Sequence, residues 1–173
     1  MDRENILYKM RSIHLQVLMA YNYIQAKLKK EEKPFIFIEK NTSISSIDAF
    51  YSWQLEMNIE MIFVKLFVFL EFLRELNMSR EYKIDQKLLT AGLRTYITHK
   101  GTHKDCKMLC LPYNIMVVSY KIEIVNNEIF FTLLSGNHTE KLSAATTHKI
   151  NLTEKIFKPH FNFIKEKYPN WLI

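Results

Sequence analysis

Three glycines and four prolines in 173 residues are too few for a turn-dense all-β architecture or for the glycine-rich loops that cradle nucleotide phosphates. No GxGxxG, Walker A or nucleophile-elbow pattern occurs. The opening residues Met1-Asp-Arg-Glu-Asn5 have neither the basic nor the apolar region of a signal peptide, so an intracellular, cytoplasmic chain is expected. Two cysteines, Cys106 and Cys110, cannot build a disulfide framework, and in that compartment they are expected as reduced thiols. Long hydrophobic runs are missing too. The most apolar stretch, Met61 to Leu73, is broken by Lys65 and Glu71 and falls short of the roughly 20 residues a membrane span needs. No membrane partner is expected.

Apolar residues make up 48% of the chain, enough for a core and too many for intrinsic disorder. A chain of this length fits one domain, 1–173, burying roughly 70% of its unfolded surface. The net charge of +6 leans towards a polyanionic partner such as RNA. The lysines are dispersed, as on any solvated surface, apart from two groups: Lys27, Lys29 and Lys30, and Lys100, Lys104 and Lys107.

Ile6, Met10, Ile13, Val17, Tyr21, Ile24 and Leu28 recur at spacings of three and four, which predicts a long first helix. Pro34 prevents its simple continuation, and Phe35-Ile-Phe-Ile38 reads as a short extended piece. Serines in the polar stretch Asn41 to Ser46 can cap a second long helix from about Ile47 to Asn77, apolar almost all round between Met57 and Leu73. Such a helix is central in the core or shared with another subunit, so a homodimer built around it is expected. Glu56, Glu60 and Glu71 fall near one of its faces. Either that face meets solvent, or Glu60 serves as a supporting acid in a polar site.

A third helix is predicted from Asp85, a good N-cap, to Lys100, with Gly101 as its C-cap. Residues Ile115–Ile124 and Glu128–Leu134 read as two strands joined at Asn126-Asn127. Asn151-Leu-Thr-Glu154 resembles a capping box for a final helix to about Lys167, kinked at Pro159. The expected fold is mainly α: a bundle of long helices over 1–101, elaborated over 102–173 by a C-terminal β-hairpin and a final helix.

The end of the third predicted helix carries the chemistry. Arg94 and His99 stand five positions apart, a pair suited to phosphodiester cleavage. Histidine moves protons near neutral pH, and arginine grips a phosphate through two parallel hydrogen bonds. With five arginines and six histidines in the chain, such a spacing arises by chance in about one sequence in six, so spacing alone says little.

The surrounding residues say more. Leu93-Arg-Thr-Tyr-Ile-Thr-His-Lys-Gly101 resembles the R-x4–6-H motif of the HEPN superfamily, in the form L-R-N-Y-x-x-H-x-G. HEPN proteins are helical bundles, often dimeric, and many are metal-independent ribonucleases of toxin–antitoxin, abortive-infection and CRISPR-linked systems. The resemblance implies that Arg94 orients the scissile phosphate and His99 acts as acid or base while the RNA 2′-hydroxyl attacks. It implies no cofactor, and it implies RNA, a second copy and an antitoxin or other regulatory protein as partners. Tyr96, Lys100 and His103 are the neighbouring candidates for holding substrate, Tyr96 by stacking on a base. Thr95 stands where the family usually has Asn, Asp or His, and a threonine supplies neither an amide nor a titrating group.

Two alternatives compete. One is a non-catalytic helical module that binds a protein or RNA, with Arg94 and His99 in structural roles. The other is a small zinc-binding adaptor using His99, His103, Cys106 and Cys110, four ligands of the type zinc prefers within twelve residues. Their spacing matches no familiar zinc pairing, and Met108, Leu109 and Leu111 favour burial of the cysteines as small apolar residues. The other histidines, His14, His138, His148 and His160, are scattered and suggest no role.

Overall fold

The structure, a computed structural model, describes residues 2–31, 35–38, 46–90, 116–136 and 146–171. It is mainly α. Two long helices, α1 (Arg3–Glu31) and α2 (Ser46–Glu75), supply most of the core. They run antiparallel. Tyr23, late in α1, donates to Gln54 Oε1 early in α2 at 2.8 Å, while Arg3 and Ile6 lie beside Glu75 and Leu76 at the other end.

The predicted stripe on α1 is the buried one: Ile6, Met10, Ile13, Val17, Ile24 and Leu28 are all buried, and Tyr21 packs against the cluster. On α2 the buried set is Leu55, Ile59, Ile62, Phe63, Leu66, Phe69, Leu70 and Leu73, again at helical spacing. The helix is not buried all round, however. Met57 and Val64, seven residues and about two turns apart, are 47% and 40% exposed. Among the described residues no helix is long and apolar enough to cross a membrane.

A glycine-free C-cap ends α2. Asn77 adopts a left-handed φ of 58°, Met78 N–H reaches back to the Leu73 carbonyl at 2.8 Å, and Asn77 N–H to that of Arg74 at 3.0 Å. This pair of bonds is the Schellman arrangement, with asparagine tolerating the left-handed position that glycine usually fills. The chain then turns through Tyr82 and Ile84, both buried, into α3 (Gln86–Thr90). Asp85 caps it as expected, its Oδ1 accepting Leu88 N–H at 3.4 Å.

The predicted hairpin is present as β2 (Met116–Val125) and β3 (Glu128–Gly136). Asn126 and Asn127 take φ values of 52° and 63°, the left-handed pair that a type I′ turn needs. The hairpin is not alone. It is the centre of a four-stranded antiparallel sheet of order β1-β2-β3-β4, with β1 (Phe35–Ile38) on one edge and β4 (Thr146–Asn151) on the other. The division into a helical bundle over 1–101 and an elaboration over 102–173 therefore needs correcting, because the first part contributes a strand to the second. Ile122, Ile129 and Phe131 join the same buried cluster as both long helices.

The end of the chain is helical from Leu152, but Thr153–Phe157 is wound as a π turn before α4 (Lys158–Lys167) begins. Pro159 accounts for the irregularity. It has no N–H to give the Lys155 carbonyl one turn back, and its ring crowds that carbonyl. The freed oxygen instead accepts Asp85 N–H at 3.0 Å, so the proline's defect fixes the start of α3. Asn151 Oδ1 accepts Glu154 N–H at 3.1 Å and satisfies one open amide at the helical start.

Thr153 ties the same turn to the sheet, its buried hydroxyl accepting Ile129 N–H at 2.8 Å. A Thr153→Val substitution keeps the shape and orphans that amide. It is expected to cost about 1–3 kcal/mol of folding stability, read from urea unfolding at neutral pH. A loss within error of zero means that the amide finds another partner.

Candidate functional site

Arg94, Tyr96, His99, Lys100 and His103 lie outside the described residues, as do Cys106 and Cys110 of the zinc alternative. The structure defines the approach to that segment. Leu88 and Leu89 are buried, Asp85 caps the helix start, and the Lys155 carbonyl holds Asp85 from behind. Lys155 Nζ adds an ion pair to Asp85 Oδ2 at 3.7 Å. Lys155 is half exposed and Asp85 nearly a third, and a pair in such surroundings contributes at most about 1 kcal/mol. The backbone bond is therefore the firmer anchor. Arg94 follows Thr90, the last described residue of α3, by four positions.

Glu60 is partly buried on α2. Glu71, which shares its side of the helix, reaches solvent and is paired with Arg74. That part of the acidic face is solvated.

The structure also brings together two residues whose place along the chain suggests no role. His14 on α1 and His160 on α4 are 146 positions apart, yet His14 Nδ1 stands 3.2 Å from His160 Nε2. The second nitrogen of His160, Nδ1, is 2.8 Å from the Tyr82 hydroxyl. All three side chains are buried. Aromatic rings enclose them: Phe69 and Phe161 meet the His160 ring edge-on at 5.2 and 5.5 Å, and Phe161 also meets His14 at 6.1 Å.

The proton positions follow from counting donors. If Tyr82 donates to His160 Nδ1, then His160 Nε2–H donates to His14 Nδ1, and only His14 Nε2–H is left without a partner. If the chain runs the other way, both the Tyr82 hydroxyl hydrogen and the His14 Nε2 lone pair are left over. The first arrangement strands one polar group rather than two and is the one adopted.

Burial sets the charge state. It pushes His160 down to about 3 from an ordinary 6.5, and the neighbouring His14 imidazole adds to the effect. His14 is lowered by burial as well, and Tyr82 is raised well above the usual phenol value for the same reason. The three groups are neutral at pH 7. Replacing Tyr82 with Phe removes the donor to His160 Nδ1 and leaves that nitrogen buried and unpaired. The expected loss is about 1–3 kcal/mol by thermal or urea unfolding, and a neutral result would mean that the hydroxyl does not serve as donor.

A signal for this cluster was present in the sequence. His14 follows Met10 by four and precedes Val17 by three, on the buried stripe of α1. His160 sits four after Ile156 and four before Ile164, on the buried side of α4. A histidine at a core position of a helical stripe must find a buried partner.

Among the described residues no group of three or more His, Cys, Asp or Glu side chains is arranged to hold a metal ion. At the surface, Glu128 accepts from Asn151 Nδ2 at 2.8 Å and from Lys158 Nζ at 3.3 Å. These bonds hold its carboxyl below the ordinary value and fasten the hairpin to α4. No known protein family, curated protein or solved structure matches the chain.

Proposed function

We propose that this chain is a HEPN-like, metal-independent endoribonuclease acting in the cytoplasm as a homodimer, in the role of a toxin or phage-defence effector. The observation that carries the reading is the run Leu93–Gly101, with Arg94 and His99 at the family's spacing. A mainly α framework and a net charge of +6 agree with it.

The chemistry needs few groups. The ribose 2′-hydroxyl attacks the adjacent phosphorus, the P–O5′ bond breaks, and the products are a 2′,3′-cyclic phosphate and a 5′-hydroxyl. His99 takes the proton from the attacking hydroxyl or gives one to the leaving oxygen. Arg94 holds the non-bridging oxygens through charge-assisted bonds as negative charge builds on them. Tyr96 stacks on a base, while Lys100 and His103 hold the strand's phosphates and Glu60 supports the site as an acid. In a toxin, a cognate antitoxin or other regulatory protein restrains the activity.

Thr95 favours a second reading, a helical module that binds RNA or protein without cutting it, because the family's usual Asn, Asp or His is replaced. One assay separates the two: purified chain with total cellular RNA, with and without EDTA, beside Arg94→Ala and His99→Ala. Cleavage by the wild type alone, with cyclic-phosphate ends, supports the nuclease. RNA left intact by all three folded proteins puts the binding module first, and cleavage that EDTA abolishes points to a metal-dependent reaction instead.

A further inference from the structure

We propose that the buried chain Tyr82–His160–His14 is an acid-operated latch, in which proton uptake by the histidine pair releases α4 and its π turn from α1 and α2 while those two helices stay paired. The feature belongs to no part of the proposed nuclease and stands independently of it.

The geometry limits how many protons the pair can hold. In the neutral chain a single hydrogen lies between the two rings, on His160 Nε2 and pointing at His14 Nδ1, 3.2 Å away. A proton added to His14 Nδ1 sets two N–H groups head to head unless His160 moves its hydrogen to the Tyr82 side. That shift turns Nδ1 into a donor and leaves the tyrosine hydrogen without an acceptor. A second proton has nowhere to go. Both rings, once exposed, take up a proton below their ordinary value of 6.5.

Among the described residues, no charged group is seen to pair with either ring. From α1 the titratable group facing His160 is His14, and from the turn before α3 it is Tyr82. Facing the pair, α2 presents the uncharged Phe69 and α4 presents Phe161. Among the described residues the ion pairs of α4 lie on its exposed side, Lys158 to Glu128 and Glu154, and Lys167 to Glu81 and Glu166. Among the described residues, a cation formed between the rings is therefore buried without a counter-ion.

The position of the pair decides what opens. His160 belongs to α4, which contributes no strand and follows the edge strand β4, so its departure breaks no strand pairing. The α1–α2 pairing rests on its own apolar stripes, among them Val17, Ile24, Leu55, Ile62 and Leu66. Helical units of this kind can open separately from the rest of a core. The sign follows from the closed state's reluctance to bind a proton. The latch is fully shut above pH 6.5 and weakens steadily as pH falls towards about 3, the value of the buried His160.

Amide hydrogen exchange of the full chain at pH 7.5 and 5.0, corrected for intrinsic rates, tests the proposal while carboxylates are still mostly ionised. The opening constant for amides of Lys158–Lys167 is expected to rise about thirtyfold from His160 alone, and more with His14. At both pH values it should exceed the opening constants of α1 and α2 amides. Ring-nitrogen NMR should show His160 neutral in the closed protein at pH 5.0. The double variant His14→Gln, His160→Gln should flatten the pH dependence, and the wild-type measurements decide the matter if that variant does not fold. A change under threefold in α4, one opening constant shared by α1, α2 and α4, or a His160 ring titrating near 6.5 in the closed protein would each overturn the latch.

Discussion

Replacing His99 with alanine is expected to slow RNA cleavage by about 10²–10⁴-fold at neutral pH, the contribution typical of a positioned acid or base. Arg94→Ala should act at least as strongly on the chemical step, because an arginine on the phosphate binds the charge that grows in the transition state. Lysine at position 94 should rescue only part of the loss, since it keeps the charge but not the two parallel bonds. The measurement is single-turnover cleavage of a defined RNA with enzyme in excess, which separates chemistry from product release. Equal rates for wild type and His99→Ala, with matched circular dichroism, would remove the nuclease from consideration. A slope of affinity against salt that falls only in lysine variants around position 100 would assign those residues to the phosphate backbone.

Phe69→Ala should be the most damaging single change in the described core, at about 3–5 kcal/mol. Phe69 is fully buried, and its ring meets those of Tyr82 at 5.5 Å, His160 at 5.2 Å and Phe163 at 6.3 Å. Truncation leaves a cavity beside three rings belonging to two other elements, so the surroundings cannot close over it without moving α4. The cavity also borders an imidazole, and water entering it would raise the proton affinity of His160 towards the ordinary value. Urea unfolding at pH 7.5 reads the stability, and the same melt at pH 5.0 reads the second effect. The mutant should lose less on acidification than the wild type does. A loss below about 1 kcal/mol would mean that Phe69 does not pack as described.

Periodicity carried most of the helical fold. The α1 stripe from Ile6 to Leu28 and the Asp85 cap could be read from spacing and residue type, because helical burial repeats every 3.6 residues. By contrast α2, apolar almost all round between Met57 and Leu73, gave no sign of which face Leu55 to Leu73 would bury. The Asn126-Asn127 turn was legible for a local reason too, since asparagine tolerates positive φ. The fourth strand was not. Thr146-Thr-His-Lys-Ile-Asn151 has one strongly apolar residue, Ile150, and its pairing with β3 is a property of the partner rather than of its own composition. The pairing of β1 with β2 is likewise set far along the chain. Pro159 announced a kink, but not that the carbonyl it frees would accept Asp85 N–H. The histidine pair escaped because each residue looks isolated along the chain, and only the packing of α1 on α4 joins them. The catalytic candidates, Arg94 and His99, remain a reading of sequence, anchored in space only as far as Thr90.

The edge position of β1 has a consequence for how the protein is made. Phe35 pairs with Ile122, 87 positions later, and nothing in the sheet can receive β1 before β2 leaves the ribosome. At ordinary elongation rates of about 5–20 residues per second that is a wait of roughly 4–17 s. The two long helices can meet during that interval, since their contacts need only residues up to about 75. An apolar Phe-Ile-Phe-Ile strand meanwhile stands unpaired between them. Nascent chains whose emerged part ends between residues 75 and 116 should therefore bind holdase chaperones at this strand, and chains in which Val125 has cleared the ribosome should let them go.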